Sequence, residues 1–374
     1  MIQNLQYKTK IDTTQPFHIY YDVEMINNDQ KNGKSSPKLV YNEARNSPFI
    51  NCPDNYFVSI VRFSLQTPSL PVFIPQVLIG QSNINKLIYS FAMVNTVTNA
   101  FFSQNVTYIP SNTTLPTPTP PLTFQDLTTE YYFVFTVPQW INMLNATLQS
   151  IATAGGLDAG FFNFDVDTSL LKFYAPQSWG TTYKLYCNNQ LQTLLDSFQF
   201  NYEATPSSTN LGQMWNLLAY NDNYLNTITL NSVNYYIMKQ SSTILPLLNP
   251  IKSIVFTTGL FPIQASLTSP PKVFGADSNL FSNGNNSNIS PIITDFEVNP
   301  TNGNTYKEQI QYIPTGEYRL IDLYGQSPVS TLELTVMWKD HFGGLHHFKL
   351  NSGCSCDIKI MFRRKDFNSV ALDL

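Results

Sequence analysis

Three of the four histidines lie close together near the end of the chain, at His341, His346 and His347. A zinc site needs three or four ligands that converge on one point. His346 and His347 are adjacent in a predicted strand, so their side chains point to opposite faces of the sheet. At most two of the three histidines can converge locally, and we therefore expect ordinary hairpin residues rather than a metal site.

Two of the four cysteines, Cys354 and Cys356, are two positions apart and therefore share one face of a strand. Such a pair can form a strained disulfide or bind a metal, but Cys52 and Cys187 are isolated and supply no second pair. Four cysteines are far too few for a disulfide scaffold. We expect free thiols and assembly in a reducing compartment.

Two carboxylates, Asp165 and Asp167, could bind calcium together with loop carbonyls, or serve as the paired acids of a carbohydrate-active enzyme. The glycine and terminal glutamate of an EF-hand loop are absent, so we expect a strand end that enters a turn. Nucleophile elbows, phosphate-binding glycine loops and paired zinc-ligand motifs are also absent from the sequence. We expect no enzyme, no catalytic residue, no metal and no cofactor.

A short basic run, Arg363, Arg364 and Lys365, follows the last predicted strand. Three charges attract an anionic polymer only weakly and in a salt-sensitive way. The formal net charge is −4 and the isoelectric point is about 5.5, which argues against a general nucleic-acid binder. We expect a solvated edge, and the alternative is a weak contact with packaged DNA.

The composition of the whole chain favours strands. Of 374 residues, 14% are aromatic and only 12% are charged, and 38 are asparagine. A typical soluble domain carries roughly 25% charged residues. Residues 1–14 lack the apolar stretch of a signal peptide, and prolines interrupt the most apolar windows, so we expect no membrane span.

Hydrophobic periodicity predicts strands in the first third at His18–Met25, Tyr56–Leu65 and Leu87–Val94. Within Tyr56–Leu65, the odd-numbered Phe57, Val61, Phe63 and Leu65 are expected on one face. Val58 and Ile60 are expected on the other face. The proline-rich residues 107–122 should form an exposed, extended loop.

The middle of the chain has a mixed pattern. An aromatic strand is predicted at Tyr131–Val137, and a helix should follow from Pro138 to Gly155-Gly156. A second short helix should follow Asn188-Asn189. Further strands are expected near Phe161–Phe164, Leu170–Tyr174 and Tyr183–Cys187.

The last third returns to strands, and a Ser/Asn/Gly-rich loop is expected at Asp277–Ser290. Thr331–Lys339 alternates cleanly, with a hairpin turn predicted at Asp340–Leu345 and a further turn before an alternating strand at Cys356–Phe362. Other strands are predicted at Ile251–Thr257, Ile292–Val298 and Tyr318–Tyr324. Many short strands with frequent turns suggest a β-sandwich.

Three C-terminal motifs resemble the end of penton (vertex) proteins of virophages and of polinton-like double-stranded DNA viruses. They are Glu317–Leu323, then Leu332–Gly343 with its Trp-Lys-Asp-His-Phe-Gly sequence, then Cys356–Arg364 with its Ile-Lys-Ile-Met-Phe sequence. The strand–proline–helix–strand–strand–helix order of Tyr131–Phe198 is also similar to a module in such proteins.

The resemblance implies a mainly β fold, a single jelly-roll β-sandwich with an inserted α+β domain. The jelly-roll would comprise residues 1–95 and 247–374, and the insertion residues 96–246. The implied function is a structural minor capsid protein, a homopentameric penton at the fivefold vertices of an icosahedral virion. Its partners would be further copies of itself and the major capsid protein, and it would assemble in the cytoplasm of the infected host cell.

A second functional reading stays open, because jelly-rolls also build lectins. In this reading the chain is a glycan- or receptor-binding module on a virion surface. Exposed aromatic rings would grip the sugar, and Trp179 and Trp215 are the candidates. The alternative is that these two tryptophans are buried in the core.

Overall fold

The computed structural model describes residues 16–29, 36–120, 125–127, 129–203, 213–218, 226–264, 291–298, 308–313 and 319–365. Strands make up 46% of the structure and helices 14%, and the strand pairs are antiparallel. The protein is therefore mainly β, as predicted. The predicted loop at Asp277–Ser290 lies outside the described residues.

The regular elements of the described ranges are as follows, in chain order. The strands are β1 (His18–Ile26), β2 (Val40–Ala44), β3 (Tyr56–Gln66), β4 (Lys86–Asn95), β5 (Phe101–Thr107), β6 (Phe161–Asp165), β7 (Leu170–Pro176), β8 (Tyr183–Asn188), β9 (Phe200–Tyr202), β10 (Gln213–Leu217), β11 (Thr227–Leu230), β12 (Val233–Lys239), β13 (Ile251–Thr257), β14 (Ile292–Glu297), β15 (Gln309–Tyr312), β16 (Ile321–Asp322), β17 (Thr331–Asp340), β18 (Leu345–His347) and β19 (Ser355–Arg364). The α-helices are α1 (Val137–Gly155), α2 (Asn189–Leu194) and α3 (Leu245–Leu248).

Two sheets share one hydrophobic core, and together they form what we call the sandwich unit. The first sheet has the order β1-β19-β3-β15, with β16 also on β3. The second has the order β14-β13-β17-β18, with β2 also on β17. The ring of Phe63 in the first sheet lies 5.1 Å from that of Phe256 in the second. The chain thus buries its alternating strands between two antiparallel layers.

The last third of the chain shows why alternation predicted its strands. Leu332, Leu334, Val336 and Trp338 are buried between the sheets, and their neighbours in β17 face away. The turn after β17 forms as predicted, with Gly343 at a φ of 87°. The strand predicted at Tyr318–Tyr324 is shorter, because only β16 pairs with β3 and residue 318 lies outside the described part.

The predicted faces of β3 are wrong in its first half. A β-bulge falls opposite Lys359 and Ile360, which pair with Arg62 and Ile60 and leave Val61 unpaired. One extra residue reverses the alternation of side chains. Even-numbered residues of β3 therefore face the core before the bulge, and Phe63 and Leu65 face it afterwards. Alternation alone cannot locate such an insertion.

A second core lies between residues 72 and 248, which we call the α+β unit. Its sheets have the orders β5-β4-β8-β10-β9 and β11-β12-β7-β6. Helix α1 packs an apolar stripe into this core, as its spacing predicted. Thr136 caps its first turn, because its side chain accepts a hydrogen bond from Gln139 N, and Gly156 ends it in the left-handed conformation.

The strand predicted at Tyr131–Val137 is wrong. Residues Glu130–Tyr132 form a 3-10 turn, and Val134 makes only a single β-bridge, to Phe73. We call Glu130–Thr136 the junction segment, because its buried residues alternate between the two cores. Tyr132 and Val134 belong to the α+β core, whereas Phe133 belongs to the sandwich core. Its aromatic run reflects two packing partners and not a strand in one sheet.

The junction segment lies at one end of the sandwich, where the chain enters and leaves the α+β unit. Val72 N donates to Val134 O at 2.8 Å. The ring of Phe133 lies 5.8 Å from Trp338, which pairs with Ile254 of β13. The junction segment thus bonds to the entering chain at Val72 and packs on Trp338, the partner in β17 of the strand where the chain returns to the sandwich. The proline-rich loop is largely exposed through residue 120, and residues 121–122 lie outside the described ranges.

Candidate assembly surface

The histidines highlighted by the sequence have separate roles. His341 Nε2 lies 3.0 Å from the carbonyl of Asn249, and His346 Nε2 lies 2.8 Å from the buried carboxylate of Asp340. The His346 ring also stacks on Trp338, with centroids 4.1 Å apart. These contacts fix the hairpin turn after β17 against the start of β13.

His347 points away from that cluster, as predicted for neighbours in a strand. Burial, followed by the charges of Lys38 and Lys349, lowers the pKa of His347. In the part of the chain that the structure describes, no three His, Cys, Asp or Glu side chains come together in a way that could hold a metal ion.

The cysteines are free thiols in the structure. Cys356 is buried in the sandwich core, and burial raises the pKa of its thiol to about 12. Cys354 is half-buried against the same core, and burial also raises its pKa. A raised pKa keeps a thiol protonated, so both side chains act as small apolar groups.

Asp165 begins the turn between β6 and β7. Its carboxylate accepts hydrogen bonds from the backbone N–H groups of Asp167 and Thr168 and lies 2.6 Å from Lys172 Nζ. The hydrogen bond from Lys172 lowers the pKa of Asp165. The expected role, a strand end entering a turn, is therefore the one that the geometry supplies.

The three C-terminal cations do not form one exposed patch. Arg364 is only 6% exposed, and its guanidinium lies 5.1 Å from the centre of the Phe17 ring. Lys365 Nζ lies 2.8 Å from Asp322 and donates to Leu323 O. The charges of Arg364 and Lys365 are thus used within the chain, and the weak contact with DNA stays a prediction.

The two candidate tryptophans lie in different environments. Trp179 is buried in the α+β core, where its Nε1 donates to the carbonyl of Asp158 at 2.9 Å. Trp215 is half-buried, and its ring lies 5.2 Å from the exposed Tyr202. Trp179 therefore cannot serve as a sugar platform in this fold, and glycan binding stays a prediction.

A carboxylate clamp that the sequence analysis missed joins the two sheets of the sandwich. Glu43 of β2 accepts hydrogen bonds from the hydroxyls of Tyr41 and of Tyr21 in β1, the latter at 2.6 Å. Arg45 stacks on the Tyr21 ring at 4.8 Å. The hydrogen bonds from Tyr21 and Tyr41 lower the pKa of Glu43. The spacing Tyr41-x-Glu43-x-Arg45 on one strand face was the available signal.

The outer edge of β1 is a candidate assembly surface on the sandwich. Phe17 O accepts from Arg364 N, and Asn27 O accepts from Gly353 N, at the two ends of its ladder with β19. Odd-numbered residues therefore bond to β19, and the N–H and C=O groups of even-numbered residues point away. Tyr20 and Ile26 on this strand are 54% and 67% exposed. Within the described ranges, no strand pairs with this second edge.

The outer edge of β6 in the α+β unit differs from that of β1, because a side chain bonds to its backbone. Asn145 of α1 donates from Nδ2 to Phe162 O at 2.9 Å and accepts from Phe162 N at 2.7 Å. One side-chain amide thus satisfies both outward backbone groups of Phe162, as a neighbouring strand would. At Phe162 the edge of β6 therefore offers no unpaired backbone group to an added strand, whereas the even-numbered residues at the β1 edge do.

The described residues include no helix with the length and hydropathy needed to cross a bilayer. The geometry instead consists of a rigid sandwich, an attached α+β unit and an open strand edge. Such features can bind other chains.

Comparisons with known proteins agree with this picture. The chain is 26% identical to the structural protein V19 of Sputnik virophage over 215 residues, which cover 55% of this chain and 95% of that protein. It is 31% identical to the uncharacterized protein V18 of the same virus over 161 residues, which cover 40% of this chain and 94% of that protein.

Two solved structures share the fold. A chain in the 3.5 Å cryo-EM structure of the Sputnik virophage superposes with a TM-score of 0.76 and 24% identity, covering 95% of this chain and 99% of that one. The crystal structure of the selenomethionine-labelled mavirus penton protein superposes with a TM-score of 0.64 and 17% identity, covering 93% and 99%.

One family model matches most of the chain rather than a single motif. The model of the Sputnik minor capsid protein V18/19 matches residues 19–364, from β1 to the last residue of β19. The chain therefore belongs to the virophage minor capsid protein family V18/19.

Proposed function

We propose that this protein is a penton subunit and that five copies close each fivefold vertex of an icosahedral capsid. The observation that carries the proposal is the likeness to the mavirus penton protein, with a TM-score of 0.64 over 93% of this chain. Membership of a minor capsid protein family supports the same role. Such a role is mechanical and needs no catalytic residue.

We propose that the sandwich unit is a single jelly-roll and that the α+β unit is its insertion. Two facing antiparallel sheets and a separate second core support this division. The jelly-roll is predicted from the sequence to include residues 1–95, but Leu87, Phe91 and Met93 pack in the α+β core. The division that we propose therefore follows the cores, with the insertion between residues 72 and 248.

The attachment of the insertion at one end of the sandwich is compatible with a position at a fivefold vertex. Copies arranged around a fivefold axis form a heterologous ring, in which one surface of each copy meets a different surface of the next. With all insertions at the same end, the ring has one face that carries them and one that does not. We propose that the insertions project outward and that the sandwich rims dock on the major capsid protein.

Light scattering of the purified full chain tests the ring. We expect a mass close to five times 42.4 kDa at assembly concentrations. Electron microscopy of the same sample should then show fivefold rings. A strict monomer, or a closed ring of another symmetry, would contradict the proposal.

A co-assembly experiment tests the partner. The full chain is mixed with the major capsid protein of a virus that encodes a relative, and particles are separated by sedimentation. We expect the chain in the particle fraction at vertex stoichiometry, bound to particles that otherwise lack closed vertices. If the particles close equally well without this chain, the vertex role is contradicted, whereas membership of the minor capsid protein family is not.

A further inference from the structure

The exposed side chains along the free edge of β1 carry negative charges, which favour a partner strand with positive charges. Asp22 and Glu24 are two residues apart and are exposed on the outer face, between Tyr20 and Ile26. Lys359 Nζ lies 3.2 Å from Asp22, whose side chain remains 59% exposed. A strand that adds to this edge is therefore favoured if it presents two cations at the same spacing, with uncharged residues beside them.

A segment of the same sequence, outside the described residues, has that pattern. In residues 5–11, Lys8 and Lys10 alternate with Tyr7, Thr9 and Ile11. The two cations fall on one side of a period-two pattern and the uncharged residues on the other. The spacing of the lysines equals the spacing of the carboxylates on β1.

We propose that residues 5–11 of a second copy of this chain pair antiparallel with the free edge of β1. Lys10 then lies opposite Asp22 and Lys8 opposite Glu24. In this register Tyr7 lies opposite Met25 on the core side. Because it names the contact between copies, the inference rests on the self-assembly proposed above.

The direction of the chain before β1 favours a second copy over the same copy. A hairpin within one copy in this register would have to reverse at residues 15–17. Pro16 O accepts a hydrogen bond from the Tyr56 hydroxyl at 3.0 Å, and Phe17 O accepts from Arg364 N at 2.9 Å. Both partners lie on β3 and β19, on the side of β1 away from its free edge. Residues 16 and 17 are thus bonded on the side of β1 opposite its free edge, where a hairpin within one copy would have to reverse toward that edge.

The proposed pairing has the symmetry that a ring needs. Each copy donates residues 5–11 to one neighbour and receives the corresponding segment from the other at β1. Donor and acceptor are different surfaces, so the contact is heterologous and can close by rotation.

Cysteine cross-linking between copies tests the pairing directly. The background is Cys52→Ser, Cys354→Ser and Cys356→Ala, because Cys356 pairs with Met25 across β1 and β19 and would otherwise compete for a new cysteine there. One preparation carries Tyr7→Cys, and a second, differently tagged preparation carries Met25→Cys. This pair falls at a non-hydrogen-bonded site, where antiparallel side chains come closest. We expect a covalent dimer of the two tagged chains after mild oxidation, and none from either preparation alone. A chain that carries both cysteines and closes within itself at high dilution would overturn the proposal.

Charge reversal provides a second measurement. K8E/K10E should weaken self-association at least about tenfold, because like charges then face each other across the pair. Adding D22K/E24K should restore it to within about threefold. K239E/K252E changes the net charge equally at two exposed lysines away from β1, and should leave association unchanged. An equal loss in this control would contradict a specific pairing.

The experiments distinguish a failure of the proposed pairing from a failure of the proposed penton function. Fivefold rings with no cross-link would overturn the pairing and leave the penton function standing. Cross-linked chains in open polymers would support the pairing and overturn the ring. The absence of both rings and cross-links would overturn both proposals.

Discussion

At the scale of single residues, the ionisable groups of this chain hold its parts together. Asp340 fixes a hairpin turn through the N–H groups of Phe342 and Gly344, each at 2.8 Å. Glu203 shows the same principle in the α+β unit. Burial pushes its pKa up, but hydrogen bonds from Tyr186 and Lys184 outweigh that effect and leave the pKa lowered. Few charges are present, and Asp340 and Glu203 in the described part of the chain both have hydrogen-bond partners.

The Glu43 clamp predicts a pH-dependent stability. A carboxylate with a lowered pKa adds stability above its unfolded pKa of 4.5 and loses it as the pH falls through its folded pKa. Glu43→Gln should therefore lower the melting temperature at neutral pH, and the difference from the native chain should shrink below pH 4.5. Thermal unfolding at a series of pH values measures this. Glu297→Gln, an exposed carboxamide substitution on β14, serves as the control.

The free edge of β1 illustrates what residue types alone cannot predict. Its strand was predicted from its aromatic and β-branched residues, and β1 confirms it. Whether a strand lies in the centre or at the edge of a sheet depends on pairing with distant residues, here Ser355–Arg364. Asp22 and Glu24, which alternate with Tyr21 and Val23, were the only local sign of an exposed face.

At the scale of elements, helix α1 is defined by its ends as much as by its apolar stripe. Thr136 accepts a hydrogen bond from Gln139 N at 3.3 Å, and Pro138 stands where a missing N–H costs nothing. Gly156 adopts a φ of 66°, which ends the helix. Each of these residues acts on backbone groups only a few positions away, so the sequence alone predicts both ends of α1.

Removing the cap should destabilise the α+β unit. Thr136 is exposed, so Thr136→Ala loses little packing and mainly loses the hydrogen bond to Gln139 N. We expect a loss of about 1 kcal/mol in the free energy of unfolding. Urea unfolding followed by circular dichroism measures it. Thr136→Ser keeps the hydroxyl and should stay close to the native value; an equal loss in both variants would argue against the cap.

The secondary structure predicted from the sequence is wrong where a segment packs against more than one partner. Strands β13, β17 and β19 each belong to one sheet and one core, and their alternation predicted them well. The junction segment contributes to two cores, so its aromatic run imitates a strand. The bulge at Val61 depends on its partner β19, which lies about 300 positions away along the chain.

At the scale of the whole molecule, the junction segment contributes side chains to both cores. Phe133 is buried in the sandwich core, where its ring lies 6.2 Å from His346, and the partly buried Phe135 packs against the same core. Glu130 and Lys349 add an ion pair at 2.6 Å across the same boundary. We therefore expect Phe133 to couple the α+β unit to the sandwich.

Phe133→Ala should uncouple the two units. Truncating a buried phenylalanine costs about 3–5 kcal/mol, and here the loss falls on the contact between cores. We expect scanning calorimetry to resolve two transitions instead of one. Phe348→Ala removes a ring buried wholly in the sandwich core, and should lower stability without splitting the transition. A single transition for Phe133→Ala would show that other contacts couple the units.

The amide of Asn145 has a practical consequence for producing this protein. Asn145-Ala146-Thr147 is an acceptor sequence for N-linked glycosylation. The nitrogen that would carry the sugar is the one that donates to Phe162 O and closes the edge of β6. Expression through a secretory pathway would therefore place a glycan where the helix and sheet must meet. Chain made in a cytosol keeps that amide unmodified and the edge capped.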